Sequence, residues 1–261
     1  MSKTMKLPPL RTPVRPISLN VFVCMLVLVS YSCSKAQDNE ELPVRQQTRI
    51  INFSGHEWVV RTSDDGKEGP GPNYFSDSEE NVWVDDDGRL HLKIVQKGGS
   101  WYCSGISLRR SLGYNKYVFY VGSEVGLLDP NVVGGLFTYM NDTEEIDIEF
   151  SRWADPASEN SQFAVQPSHE TGNKVRYDLG PNSGESTHMF DWQPEKIEFA
   201  SYRGHTLDPL AEAVIGTWTY TGDDVPPDSN ERLKINLWLF RGNPPTDQKE
   251  AEMIIDRVEI L

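Results

Sequence analysis

Seven consecutive residues carry the strongest chemical pattern in the chain: Glu144-Glu145-Ile146-Asp147-Ile148-Glu149-Phe150. Acidic and apolar side chains alternate, and in a β-strand successive side chains point to opposite faces. Glu145, Asp147 and Glu149 therefore share one face, and Ile146, Ile148 and Phe150 share the other. Bunching like charges on one strand face is destabilising, and no Lys or Arg alternates with these acids to relieve it. Crowded carboxyls split their pKa values. Glycosidic cleavage needs such a split: a protonated acid serves the leaving oxygen, and an ionised partner attacks or stabilises the anomeric carbon. Four residues of strand separate the Glu145 and Glu149 Cα atoms by roughly 13 Å. The two side chains must lean together to reach the about 5 to 5.5 Å between carboxyls that double displacement requires. Asp147, between them, is placed to hydrogen-bond the attacking carboxylate. Spacing alone fits a solvated acidic edge strand or a cation site equally well.

The elements that must hold such a face are β-strands. From Ile51 onward, short alternating runs are separated by turn signals, as in Val82-Trp83-Val84 before Asp85-Asp86-Asp87-Gly88 and Leu90 to Val95 before Gly98-Gly99. Further strands are expected over 117–121, 134–139, 146–150, 162–166, 196–202, 233–240 and 251–260, and a short helix over 209–215. Many strands and almost no helix predict an all-β sandwich of two antiparallel sheets in one domain spanning residues 51–261. Asp85-Asp86-Asp87-Gly88 lacks the alternate-position acids of a calcium loop and reads as a hairpin turn.

Several segments resemble glycoside hydrolase family 16, the lichenase- and laminarinase-like endo-β-glucanases. Glu145-Ile146-Asp147-Ile148-Glu149 is similar to the family's E-[ILV]-D-[IV]-E signature in its contiguous, lichenase-type form. Gly113-Tyr114-Asn115-Lys116-Tyr117 and Gly135-Leu136-Phe137-Thr138-Tyr139 resemble strands upstream of the catalytic one. Downstream, the matching stretches are 190–199 (FDWQPEKIEF), Ile235-Asn236-Leu237-Trp238 and 253–258 (MIIDRV). The likeness covers about residues 100 to 260, in order, which is more specific than a lone motif.

The resemblance implies a concanavalin-like β-jelly roll with an open polysaccharide cleft, and retaining endo-hydrolysis of a β-glucan. It implies Glu145 as nucleophile, Asp147 as its assistant and Glu149 as acid/base, with Trp192 and Asn236 lining subsites. Asp256 matches a position that helps hold a structural calcium in many members; no cofactor is expected for catalysis. Two departures touch specificity: Thr143-Glu144 replaces the usual Trp-Asp before the motif, and Phe163-Ala164-Val165 stands where an F-N-W segment is usual. Trp153, just past the catalytic strand, is a candidate replacement stacking platform, because sugars present apolar C–H faces to indoles. Trp101 and Trp238 are further stacking candidates. Of the adjacent Arg109 and Arg110, one is expected to face the cleft.

The 261 residues include 25 basic and 39 acidic ones, a net charge of −14. Lys3, Lys6, Arg11 and Arg15 precede the apolar run 21–29, the layout of a secretory signal over residues 1–36. The run is too short for a spanning helix. Cys33 ends a stretch that resembles a lipoprotein signal and is the expected lipidation site; cleavage after Ala36 is the alternative. Residues 37–50 read as a polar tether. Loss of the four basic residues ahead of Cys33 takes the net charge to about −18. Such a surface excludes nucleic acid as a partner and favours a neutral polysaccharide unless a local basic patch intervenes. The chain is expected to act as a monomer outside the cytoplasm, touching a membrane only through its lipid. Cys103 is then the one cysteine of the domain and reads as a small buried apolar residue. The five histidines are dispersed with no HExxH or CxxC spacing, and no G-x-S-x-G elbow or phosphate loop occurs. A non-catalytic glycan-binding lipoprotein on the same fold remains the rival reading.

Overall fold

The structure is a computed structural model and describes residues 48–261 apart from 64–65 and 181–183. The expected signal segment, Cys33 and the tether up to residue 47 lie outside the described residues. Sixteen strands follow in chain order: β1 (Ile50–Phe53), β2 (His56–Val60), β3 (Tyr74–Phe75), β4 (Val82–Val84), β5 (Leu90–Lys97), β6 (Ser100–Leu108), β7 (Lys116–Val121) and β8 (Val132–Asn141). They continue as β9 (Glu144–Phe150), β10 (Ser161–Val165), β11 (Lys174–Tyr177), β12 (Ser186–Gln193), β13 (Lys196–Arg203), β14 (Val214–Tyr220), β15 (Arg232–Leu239) and β16 (Ala251–Ile260). The helix expected over 209–215 is a three-residue 3-10 turn, Ala211–Ala213, leading directly into β14. β-branched and aromatic residues from Val214 onward favour a pleated strand over helix.

One face of the sandwich runs in the order β11-β10-β9-β8-β15-β6-β2-β1, the other in the order β4-β5-β16-β7-β12-β13-β14. The β5–β6 hairpin joins them into one folded-over sheet, and every pairing is antiparallel except that of β3 with β6. This is the expected all-β jelly roll. The acidic run 85–87 forms the β4–β5 hairpin turn, where Asp85 Oδ1 accepts the backbone N–H groups of Asp87 and Arg89.

The core lies between the two layers and follows from alternation. Ile146, Ile148 and Phe150 of β9, Phe163 and Val165 of β10, and Ile235 and Leu237 of β15 are fully buried. They meet the opposing sheet through contacts such as Phe163 on Phe199, with ring centroids 5.1 Å apart and an interplanar angle of 26°. Cys103 is buried too, and burial pushes its thiol up to about 12, which makes it inert as a nucleophile. Because Phe163 couples β10 to the opposing sheet, Phe163→Ala should lower unfolding stability by about 3 to 5 kcal/mol. Chemical denaturation would measure this, and a loss well below that range would mean the two layers are not tied together there.

Candidate active site

The register brings polar side chains of five strands onto the outer face of the first sheet, opposite the apolar face of β9. Glu149 pairs with Gly135 of β8, which pairs with Asn236 of β15, which pairs with Gly105 of β6. The next row runs Asp147, Phe137, Lys234, Ser107, Val59. A third joins Glu145 to Tyr139. On the other side, β10 sets Gln162 against Glu149 and Ala164 against Asp147. The Glu149 row alternates side chains with two glycines, so the floor is hollow there. A Cβ on Gly135 would sit 2.5 Å from Asn236 Oδ1, so glycine is required for that close approach.

Above these rows lies a cleft with two lobes. One, of about 660 Å³, is lined by Arg61, Phe137, Tyr139, Lys234, Asn236 and Trp238 together with the three acids. The other, of about 470 Å³, is lined by Trp153, Gln162, Gln166, Lys174 and Arg176 together with the same three acids and Trp238. Glu145, Asp147 and Glu149 thus sit where the lobes meet, at the centre of a channel crossing the strands.

The acids are held from specific directions. Gln162 Nε2 donates to Glu149 Oε2 at 2.7 Å, and Arg176 donates to Gln162 Oε1 at 3.1 Å, which fixes the amide's orientation. Gln166 Nε2 donates to Asp147 Oδ2 at 2.9 Å, while its Oε1 accepts the Ser168 N–H. Burial, then the neighbouring charge of Glu149, pushes Glu145 up to about 8. Burial, then the charge of Asp147, does the same to Glu149. Asp147, 3 % exposed, is raised well above the usual carboxylate range by burial and by Glu145. All three move in one direction because three charges cannot share one desolvated strand face.

What separates the acids is their surroundings. A side-chain hydrogen bond with Asp147 lowers the Glu145 pKa, as does the charge of Lys234. Glu149 is met by a neutral amide, with Arg176 and Lys174 acting only through space. A carboxylic acid accepts at its carbonyl oxygen and donates from its hydroxyl. With Oε2 occupied by Gln162, the Glu149 proton belongs on Oε1.

Of the other residues expected from sequence, Asn236, Trp238 and Trp153 line the cleft. Asn236 is 5 % exposed, and its Oδ1 has no hydrogen-bond partner. Trp153 and Ala154 both adopt positive φ, 53° and 63°, a strained turn for non-glycine residues. The turn props the Trp153 indole edge-on against Trp238 at 6.1 Å and Phe240 at 5.2 Å.

Three residues are elsewhere. Trp192, 1 % exposed, lies on β12 in register with core residues of the opposing sheet; it packs on Tyr114 at 4.9 Å, and its Nε1 donates to Pro226 O. Its indole is used in the core and lines no subsite. Trp101 lies on the β5–β6 hairpin across from Gln96 and packs against the core rather than lining the cleft. Arg109 is exposed at the end of β6, paired with Glu57 at 2.7 Å, and neither it nor Arg110 lines the cleft. Gln162, Gln166, Lys234 and Tyr139 were not singled out from the sequence. Their signal is strand parity, since each falls on the face shared with an acid or Asn236.

Asp256 lies at a bulge in β16. Its Oδ1 is buried without a hydrogen-bond partner, where a Cβ on Gly122 would come within 2.2 Å. Glu185 and His205 each bring a ligand atom within 4.8 Å of it and of one another. The orphaned oxygen suits a cation, but an imidazole nitrogen in the set departs from the all-oxygen shell of calcium. These three side chains alone therefore do not make a calcium site.

Comparison with known proteins bears on the fold. Neither a protein-family model nor the sequence of a curated protein matches the chain. Among solved structures, a Bacillus licheniformis β-glucanase superposes with a TM-score of 0.58 at 19 % identity, covering 82 % of this chain and 99 % of that one. A glycoside hydrolase family 16 endo-glucanase from Bacteroides ovatus, in complex with G4G3G-2F-DNP, superposes at 0.55 and 17 % identity, covering 78 % and 94 %. This chain has the family 16 glucanase fold. A third structure of the same fold, at 0.58 and 17 % identity and covering 78 % and 90 %, is described as a pseudo β-1,3-glucanase of Mycobacterium tuberculosis. The fold therefore does not by itself decide activity, and the family 16 reading of this chain has to rest on its acids.

Raised carboxyl pKa values fix the sign of a pH effect. A carboxyl whose pKa is higher in the folded state favours folding while protonated. The contribution is complete below about 4.5, the ordinary value, and is lost as pH rises through about 8. Glu149→Gln, permanently neutral, should therefore gain melting temperature relative to the native protein by at least roughly 4 °C between pH 5 and pH 9. A difference that stays flat across that range in thermal scans would contradict burial of a titrating Glu149.

Proposed function

We propose that the protein is a retaining endo-glycoside hydrolase acting on a neutral β-glucan, of β-1,3-1,4 or β-1,3 linkage. The observation that carries the reading is the row Glu145, Asp147, Glu149 at the meeting point of the two lobes of an open channel. In the first step the Glu145 carboxylate attacks the anomeric carbon while Glu149 gives its Oε1 proton to the departing glycosidic oxygen. The C–O bond to the leaving sugar breaks as the glycosyl–Glu145 ester forms. In the second step Glu149, now ionised, takes a proton from water. The hydroxide equivalent attacks the same carbon and releases Glu145 with the anomeric configuration restored. Asp147 steadies the charge on Glu145 through its hydrogen bond. Trp153 and Trp238, packed against each other in one lobe, offer ring surface and edges to the apolar face of a sugar unit beside the acids.

Export and anchoring through Cys33 belong to the same proposal and rest on residues 1–36 of the sequence. A non-catalytic glycan-binding protein would tolerate loss of a carboxylate, and all three are present here in one row on the channel floor.

The purified protein, incubated with barley mixed-linkage glucan, laminarin, xyloglucan, agarose and carrageenan, should release reducing ends from one of the glucans. Glu145→Gln should fold, bind the same glucan and lose at least about a thousandfold in turnover; near-normal turnover would remove Glu145 from the nucleophile role. Azide added to Glu145→Ala should give the glycosyl azide of inverted anomeric configuration, and its absence under productive binding would count against double displacement.

A further inference from the structure

Lys234 is a half-buried cation on β15 whose side chain, among the described residues, makes no hydrogen bond and no ion pair. A buried ammonium without a contact partner is costly, so its position calls for a reason. Its Nζ stands 4.1 Å from the centre of the Tyr139 ring, an electrostatically favourable seat. Tyr139 is the residue that pairs across β8–β9 with Glu145. The Tyr139 hydroxyl is turned away, donating to Asp142 Oδ1 at 3.0 Å, so the ring presents its face rather than its polar tip to the ammonium.

We propose that Lys234 is a positioning residue for charge: its ammonium, parked on the Tyr139 ring beside Glu145, makes Glu145 the anionic member of the acidic row. The groups facing Glu145 support this assignment. Asp147 and Glu149 on its own strand, and Asp142 from the β8–β9 turn, all oppose ionisation if charged. Just past the end of β10 comes the neutral Gln166, whose backbone N–H donates to the Glu145 carbonyl. Arg61, the other cation of this lobe, is occupied: it ion-pairs with Glu68 at 3.2 Å, donates to the Gly69 carbonyl and stacks on Phe75 at 3.7 Å. Arg232 lies two pairs further along β15, opposite Tyr139, and bonds Asn230. Lys234 is thus the cation of the lobe left free to answer the Glu145 charge. Burial lowers its own pKa and Glu145 raises it, so each ion supports the other. On the other side Glu149 meets the neutral Gln162 amide, with Arg176 and Lys174 lowering its pKa only through space, and on this proposal the charge sits on Glu145 and the proton on Glu149.

The catalytic consequence rests on Glu145 being the attacking group, whereas the charge assignment does not, so the two can be tested apart. Side-chain carboxyl carbons of Glu can be titrated by NMR in 13C-Glu-labelled protein, with Glu145 identified by the signal lost in Glu145→Gln. In Lys234→Met, which keeps the stem and removes the charge, the Glu145 midpoint should rise by at least about one pH unit. Lys234→Arg should bring it back towards the native value, a rescue that lost packing would not give. The acid limb of the kcat/KM profile on the hydrolysed glucan should move upward with the midpoint, with KM little changed. A Glu145 midpoint unmoved in Lys234→Met, or moved equally in Lys234→Arg, overturns the proposal whether or not any glucan is cleaved. If the Met variant does not fold, Lys234→Gln carries the same expectation. A native protein that titrates as expected but cleaves no polymer would overturn the glucanase reading and leave the charge assignment standing.

Discussion

Three carboxyls crowded on one face of one strand, Asp147 buried and its two neighbours half-buried, are the constraint on which the rest of the site depends. Burial of an ionised carboxyl is expensive, and burial of three in a row is affordable only if most stay protonated and the remaining charge is answered. The surroundings supply those answers: an amide for Glu149, an amide for Asp147, and for Glu145 the side-chain hydrogen bond with Asp147 together with the field of Lys234. The sandwich core on the reverse of β9 holds the strand rigid, so repulsion cannot relax by bending. Ile146, Ile148 and Phe150 are each fully buried there.

The hollow beside the acids has the same logic. Side chains at 135 and 105 would close the floor of the Glu149 row, and the close approach of Asn236 to Gly135 leaves no space for one. Ala164, across from Asp147, adds only a methyl group where the family resemblance leads one to expect an amide. Gln162 and Gln166, two residues either side of it, take over the hydrogen bonding to the acids. The polar arrangement beside the acids therefore differs from the one the family resemblance leads one to expect.

How far the site could be read from sequence depends on what alternation can carry. The acid face of β9, the jelly-roll class and the β4–β5 turn follow from local pattern, because period-two alternation and turn chemistry act within a few residues. Trp192 shows the limit. Alternation puts it on the same side as Phe190, but which side of which sheet that is depends on β12 joining the layer opposite the cleft, a long-range pairing no local window contains. Lys234 and Gln162 were legible only in retrospect, since each shares a face with a recognised residue once the register of β15 and β10 is known. Arg109 fails for another reason: it lies just past the end of β6, where the neighbouring Glu57 captures it.

The strand order also has a mechanical side. β1 forms the outer edge of the cleft sheet, and the order inward is β2, β6, β15, β8 and only then β9. A pull applied through Thr48 enters at a hairpin of four residue pairs and must peel it before any load reaches the next strand. The acids sit five strands inward from that point, braced on the far side by β10 and β11. Tension transmitted along the chain from its N-terminal side would fray the edge of the sheet long before it disturbed the spacing of the carboxyls.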